Sequence, residues 1–283
     1  MIRQTFTHIP GIGAATEAKL WRQGVDDWAR ADPTRLRLGP RRLASFERCL
    51  AESREHYAEG RIGYFADRLP AGQHWRLLPD FRQRIAYLDI ETTGFMAGMD
   101  HVTTIAVYDG RRVMHYVHGQ NLDQFERDIA GYDLLVTYNG KCFDVPFLEF
   151  CLGCRLPQAH LDLRYVLKSL GYGGGLKRCE QALGLTRPGL EGVDGYFAVL
   201  LWAEYQRTGS SAALETLLAY NVEDVLTLER LAVLAYNAKL EDTPFAATHR
   251  LDAPVVAANP FAADHRLIER IRGQMSGPSF ARW

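Results

Sequence analysis

The sequence predicts an α/β fold: a mixed sheet flanked by helices, preceded by a small helical module. Three observations predict it. Apolar runs of strand length cluster between residues 84 and 138, helical spacing dominates from 145 to 240, and residues 1–70 look helical throughout. Strands in a meander, followed by strands alternating with helices, give a sheet covered by helices.

Each element follows from its own pattern. The module spans 1–70, and Pro70, Gly72 and Pro79 suit a linker before a second unit at 80–240. Arg84–Ile90 reads as a buried strand ending in acids. His101–Tyr108 and Val113–His118 form a pair joined at Asp109-Gly110, a strong hairpin signal. Leu122–Ile129 has helical spacing and Asp133–Tyr138 is a further apolar strand. Helices are expected over Val145–Gly153, Leu176–Leu183, Gly195–Thr208 and Ser211–Leu240. Residues 241–283 form a tail with one short amphipathic segment near Asp264 to Ile271.

Composition narrows the class. The 283 residues are 47% apolar and 24% charged, ordinary for a soluble globular protein. No apolar stretch approaches the roughly 20 residues of a membrane span, so no membrane partner is expected. Met1 to Thr5 lacks an apolar signal core. The five cysteines are odd in number and unevenly spaced, which fits a reducing cytoplasm rather than a disulfide framework. Residues 1–84 hold 15 Lys/Arg against 10 Asp/Glu, and residues 85–283 hold 18 against 24. A basic module ahead of an acidic one fits a part that grips nucleic acid joined to a part that holds metal.

The chemistry starts at Asp89-Ile90-Glu91-Thr92-Thr93-Gly94. Residues i and i+2 of a strand share a face, so Asp89 and Glu91 project side by side. Two adjacent like charges call for a cation between them, and hard ions such as Mg²⁺ or Mn²⁺ suit oxygen ligands. A third carboxylate, Asp144, follows Asn139 and Gly140 at the carboxyl end of a strand, where open α/β sheets bind ligands. Read alone, Asp144 is better explained as a helix N-cap before Pro146. Tyr220 and Asp224 are four apart on one face of a long helix whose Leu217, Leu218, Val225 and Leu228 form an apolar stripe. An acid beside such a stripe calls for a compensating partner, which a metal would supply; read alone, Asp224 is a solvated acid with Glu223 as its twin.

Taken together, the order Asp-x-Glu, Asn-x-x-x-Phe-Asp, Tyr-x-x-x-Asp resembles the DEDDy group of DnaQ-like 3′–5′ exonucleases, which have the ribonuclease-H-like fold. The wording of the motifs resembles the YprB-type ribonuclease-H-like nucleases more closely. It is carried by Asp89 to Gly94, Tyr138 to Phe147, Gly175-Leu-Lys-Arg-Cys-Glu180 and Tyr220 to Asp224. The resemblance covers roughly residues 84–235. It implies two ions, Mg²⁺ or Mn²⁺, held by Asp89, Glu91, Asp144 and Asp224, that activate a water and stabilise the leaving 3′ oxygen. Tyr220 would orient that water. Thr92 and Thr93 would offer backbone N–H groups to the substrate's 3′ end, with Asn139 also against the substrate. Asp162, in His160 to Arg164, is a candidate additional acid, or else the cap of a helix beginning near Tyr165. Lys177, after Gly173 to Gly175, would face a phosphate, or else lie on a solvated turn.

The segment His8-Ile9-Pro10-Gly11-Ile12-Gly13 resembles a helix-hairpin-helix element. Gly11 and Gly13 would permit a tight turn whose N–H groups meet a phosphate, with Arg35, Arg37, Arg41 and Arg42 widening the footprint. A purely structural or protein-binding hairpin is the alternative. Cys151-Leu-Gly-Cys154 has zinc-like spacing without a second Cys/His pair, and Gly171 to Gly175 lacks the spacing of a phosphate-binding fingerprint.

The expected function is a cytoplasmic, metal-dependent 3′–5′ exonuclease. DNA is favoured over RNA, a single strand or 3′ overhang is the expected substrate, and DNA repair and a helicase partner are the expected context. The alternatives are a structure-specific endonuclease or an RNA-processing nuclease on the same site, or a non-catalytic nucleic-acid-binding module.

Overall fold

The computed structural model describes residues 1–32, 39–187, 189–190 and 193–275. Arg35 and Arg37 lie outside the described residues; Arg41 and Arg42 are exposed on the first turn of a helix. In chain order the helices and strands are α1 (Ala14–Arg22), α2 (Pro40–Ala58), α3 (Ile62–Ala66), β1 (Ile85–Thr92), β2 (Val102–Tyr108), β3 (Val113–Val117), α4 (Phe125–Ile129), β4 (Leu134–Thr137), α5 (Asp144–Leu152), β5 (Ala159–Asp162), α6 (Leu163–Ser169), α7 (Leu176–Ala182), α8 (Gly195–Thr208), α9 (Ser211–Leu240) and α10 (His265–Met275). Among the described residues no helix is long and apolar enough to cross a membrane.

The strands form one mixed sheet of five in the order β3-β2-β1-β4-β5. β1 is central, antiparallel to β2 and parallel to β4, while β5 runs parallel beyond β4. The β2–β3 hairpin turns at Asp109-Gly110, with Gly110 at φ 85° and Tyr108 opposite Val113. β1 continues two residues past Ile90, because the ladder to β2 carries on through Glu91 before slipping register at Thr92. Both acids therefore belong to the strand itself.

Alternation along β1 sends Ile85 and Tyr87 into one apolar cluster and Ala86, Leu88 and Ile90 into another. α9 covers the first face, and α4 and α5 cover the second. α9 is 30 residues long and buried over most of its circumference. It packs on the sheet on one side, and on α8 and α10 through Leu217, Phe197, Leu201, Leu267 and Ile268 on another.

The amino-terminal helices share the cluster that lies under α9 rather than forming a separate core. A buried ion pair ties them down. Arg76 donates to both oxygens of Glu17 at 2.8 Å, and Glu17 accepts the N–H groups of Phe6 at 2.6 Å and Thr7 at 3.2 Å. Before the Pro10–Gly13 turn the chain makes a 3₁₀ turn, Ile2–Gln4. The turn itself, with Gly11 at φ 84°, leads into α1 as expected.

Residues after α9 fold back along that helix. Asn237 exchanges two hydrogen bonds with the Leu251 backbone, at 2.8 and 2.9 Å, and Asn259 donates to the Ala219 carbonyl at 2.8 Å.

Arg76→Met strands the Glu17 carboxylate in the interior. The expected cost is about 3–5 kcal/mol, read as a lower midpoint of urea unfolding monitored by circular dichroism.

Candidate active site

Asp89 and Glu91 stand on the face of β1 that α9 covers, and Asp224 comes down from α9 to meet them. One oxygen from each of the three lies within 4.8 Å of the others. Among the described residues no other group of three His, Cys, Asp or Glu side chains is gathered in this way. Asp144, on the first turn of α5, lines the same cleft of 350 Å³ with Thr92, Asn139, Lys177 and Tyr220. A larger groove of 940 Å³ between α2–α3 and the far end of the sheet holds no such cluster.

The electrostatics show what this convergence costs. Burial, and then the charges of Asp224, Asp144 and Glu91, push Asp89 well above the usual carboxylate range, while the Asn221 amide pulls it back. Burial, Asp224 and Asp144 do the same to Glu91, against the attraction of Lys177 and Arg187. Asp144 rises from 3.8 to about 7, chiefly through burial, with Asp162 and Asp224 adding to it. Burial, then Asp224, Glu91 and Asp89, hold the Tyr220 phenol protonated far above neutral pH. A set of donors that is all carboxylate, crowded and poorly solvated fits a hard divalent ion.

Neighbouring side chains fix the donors. Asn221 donates to Asp89 Oδ2 at 2.8 Å and accepts from Thr104 Oγ1 of β2 at 3.0 Å, stitching α9 to the sheet. Arg187 donates to Asp224 through one nitrogen and to Glu180 through the other two. Lys177 bonds the Val193 carbonyl, with its ammonium 4.6 Å from the centre of the Tyr220 ring. Glu180 and Asn221 lie within motifs quoted from the sequence but were given no role there, and Arg187, on a loop without periodicity, was not singled out.

Several expected substrate residues are placed differently. The Thr93 N–H is taken by the His101 carbonyl at 3.0 Å, and its hydroxyl faces Asp100 at 3.2 Å. The register slip after Glu91 turns Thr93 toward the 94–100 loop, so its N–H is not available to a 3′ end. Thr92 lines the cleft. Asp162 stands outside the cluster. One of its oxygens accepts from Arg164 N as the cap of α6 and from Asn139 N, and the other accepts from Lys141 N. It thereby pins the Asn139-Gly140 turn, where Asn139 adopts φ 70°. Gly11 and Gly13 do not line the cleft. All five cysteines are free, and among the described residues Cys151 and Cys154, near the end of α5, belong to no group of three side chains that could hold a metal.

A ribonuclease-H-like sheet with an acidic centre between its middle strand and a covering helix defines the class of protein. A family comparison matches residues 86–236 to RNase_H_2 of the RNase_H superfamily, and the chain belongs to that family. Among solved structures, Brucella melitensis NrnC with bound Mg²⁺ is 21% identical, covering 73% of this chain and 94% of that one, with a TM-score of 0.41. Brucella melitensis NrnC bound to pGG is 22% identical, covering 58% and 77%, with a TM-score of 0.40. The family B DNA polymerase from the hyperthermophilic archaeon Pyrobaculum calidifontis is 19% identical over 56% of this chain and 24% of its own, with a TM-score of 0.41. No curated protein matches the chain.

A divalent ion taken up by this acidic cluster would make stability depend on ions and pH together. Asp144, raised from 3.8 to about 7, favours the metal-free fold only while protonated. That contribution is complete below pH 3.8 and is lost as pH rises through about 7. Addition of Mg²⁺ at about 100 times its dissociation constant at pH 8 is expected to stabilise the fold by about 2.7 kcal/mol at that pH, and the same concentration is expected to stabilise it less at pH 5. Differential scanning fluorimetry reads this as a rise in melting temperature, and Asp89→Asn is expected to abolish it.

Proposed function

We propose that this chain is a metal-dependent 3′–5′ exonuclease of the DEDDy type, acting on DNA with a single-stranded 3′ end. One observation carries the reading: Asp89, Glu91, Asp144 and Asp224 converge on one cleft with Tyr220 one helical turn before the last of them. In this reading the four carboxylates hold two divalent ions, Mg²⁺ or Mn²⁺. When bound, such ions activate the attacking water and stabilise the leaving oxygen.

The chain's own groups divide the remaining work. Tyr220, kept as a neutral phenol, orients the water by hydrogen bonding. Lys177 brings positive charge to the phosphate. Thr92 and Asn139 line the space for the terminal nucleotide, and the rings of Phe95 and Phe143, 6.1 Å apart, stand at its side. DNA is preferred because of the Pro10–Gly13 turn and the basic balance of residues 1–84. A helicase partner and a role in repair in the cytoplasm extend the same reading, and a pull-down in which no helicase is enriched would remove the first.

Matched single- and double-stranded DNA and RNA, labelled at either end, test it. A 5′-labelled DNA strand is expected to shorten as a ladder, while a 3′ label leaves at once as a mononucleotide. EDTA and Asp89→Ala should each stop the reaction. A single internal cut, strict RNA dependence, or a fully active Asp89→Ala would overturn the assignment. Tyr220→Phe, which removes only the hydroxyl, is expected to lower turnover by about 10²-fold with little change in KM, measured by single-turnover digestion.

A further inference from the structure

The segment Lys177 to Glu180 was singled out in the sequence, yet the cleft uses only its lysine. Glu180 lies on α7, outside the lining of the cleft, and its side chain is 3% exposed. It meets Arg187, on the loop that follows, whose side chain is 9% exposed. Nε of Arg187 donates to Glu180 Oε2 at 2.7 Å and Nη2 donates to Oε1. Two parallel bonds fix the plane of the guanidinium. The remaining nitrogen, Nη1, then points one way, and it donates to Oδ1 of Asp224.

This arrangement separates orientation from charge. A lone arginine beside a metal ligand would repel an incoming divalent ion. Here Glu180 offsets the arginine's charge, so the pair acts on Asp224 as an oriented donor with little net charge. With Oδ1 occupied, the other oxygen of Asp224 is left for the centre. Lys177 does not share this task, because its ammonium is engaged by the Val193 carbonyl and the Tyr220 ring.

We propose that Arg187, locked by Glu180, is the positioning residue for Asp224, holding that carboxylate in the rotamer that completes the metal centre. The inference rests on the metal-centre reading above. Outer-sphere partners of this kind typically change metal affinity by about 10–100-fold.

The test is Mn²⁺ affinity of the full chain without substrate, from the free-ion signal in an electron paramagnetic resonance titration. Arg187→Met alone leaves Glu180 unpaired in the interior and risks misfolding. The double variant Glu180→Met/Arg187→Met removes both charges and is expected to fold, which a circular dichroism melt without metal confirms. It should bind Mn²⁺ about 10–100-fold more weakly than the native chain, and Arg187→Lys should recover only part of the loss. A purely structural pair would shift the melt and leave affinity unchanged. A folded double variant that binds Mn²⁺ equally well or more tightly overturns the proposal. If the native chain and Asp224→Asn bind Mn²⁺ alike, the metal-centre reading itself fails, which is a different result.

Discussion

Mutual repulsion among buried carboxylates is the constraint on which this structure turns. Asp89, Glu91, Asp144 and Asp224 would separate if their backbones allowed it, since each raises the cost of ionising another. They stay together because each is fixed by an element that cannot easily move. β1 is the middle strand of the sheet and is held by ladders on both sides. α9 is buried over nearly its whole length. α5 is docked through Phe147 and Leu148 on the opposite face of β1. Apolar burial on all three elements supplies the stabilisation that opposes the repulsion.

That logic accounts for features remote from the cleft. The tail's α10 covers the stretch of α9 around Leu217 and Leu218 through Leu267, Ile268 and Ile271, keeping those apolar side chains from water. The amino-terminal helices close a different cluster, the one between α9 and the sheet, and the Glu17–Arg76 pair keeps them there. Asn221 works at shorter range: by bonding Asp89 and Thr104 at once, it fixes the axial position of α9 against the sheet. A slide of one turn along α9, about 5.4 Å, would carry Asp224 out of the cluster.

Much of this was legible in the sequence where a short-range rule applied. Residues i and i+2 on a strand placed Asp89 beside Glu91, and i and i+4 on a helix placed Tyr220 with Asp224. The limits of α8 and α9 follow from Asp194 and Ser210, capping residues that accept from Phe197 N and Ala213 N. What escaped depended on contacts between distant segments. Arg187 meets Asp224 across 37 residues, and nothing local to a loop arginine announces that partner. Asp162 could be read as an acid of the site or as a cap, and the choice depended on where the Asn139 and Lys141 N–H groups would fall, 23 and 21 residues away.

The same repulsion couples the centre to protons. In the chain without ions, Asp89 and Glu91 are raised well above ordinary values and Asp144 stands near 7, so part of the site's charge is neutralised by protonation around neutral pH. A divalent ion takes only deprotonated oxygens, so ions and protons compete for the same atoms. Arg187 and Lys177 bear on this competition, because both lower the cost of ionising Glu91 while neither belongs to the group of three acids. A centre surrounded by cations alone would hold its acids ionised and repel the ion; a centre without them would stay protonated and be slow to accept one. Glu180, by pairing Arg187, offsets part of that arginine's charge while leaving a donor aimed at Asp224.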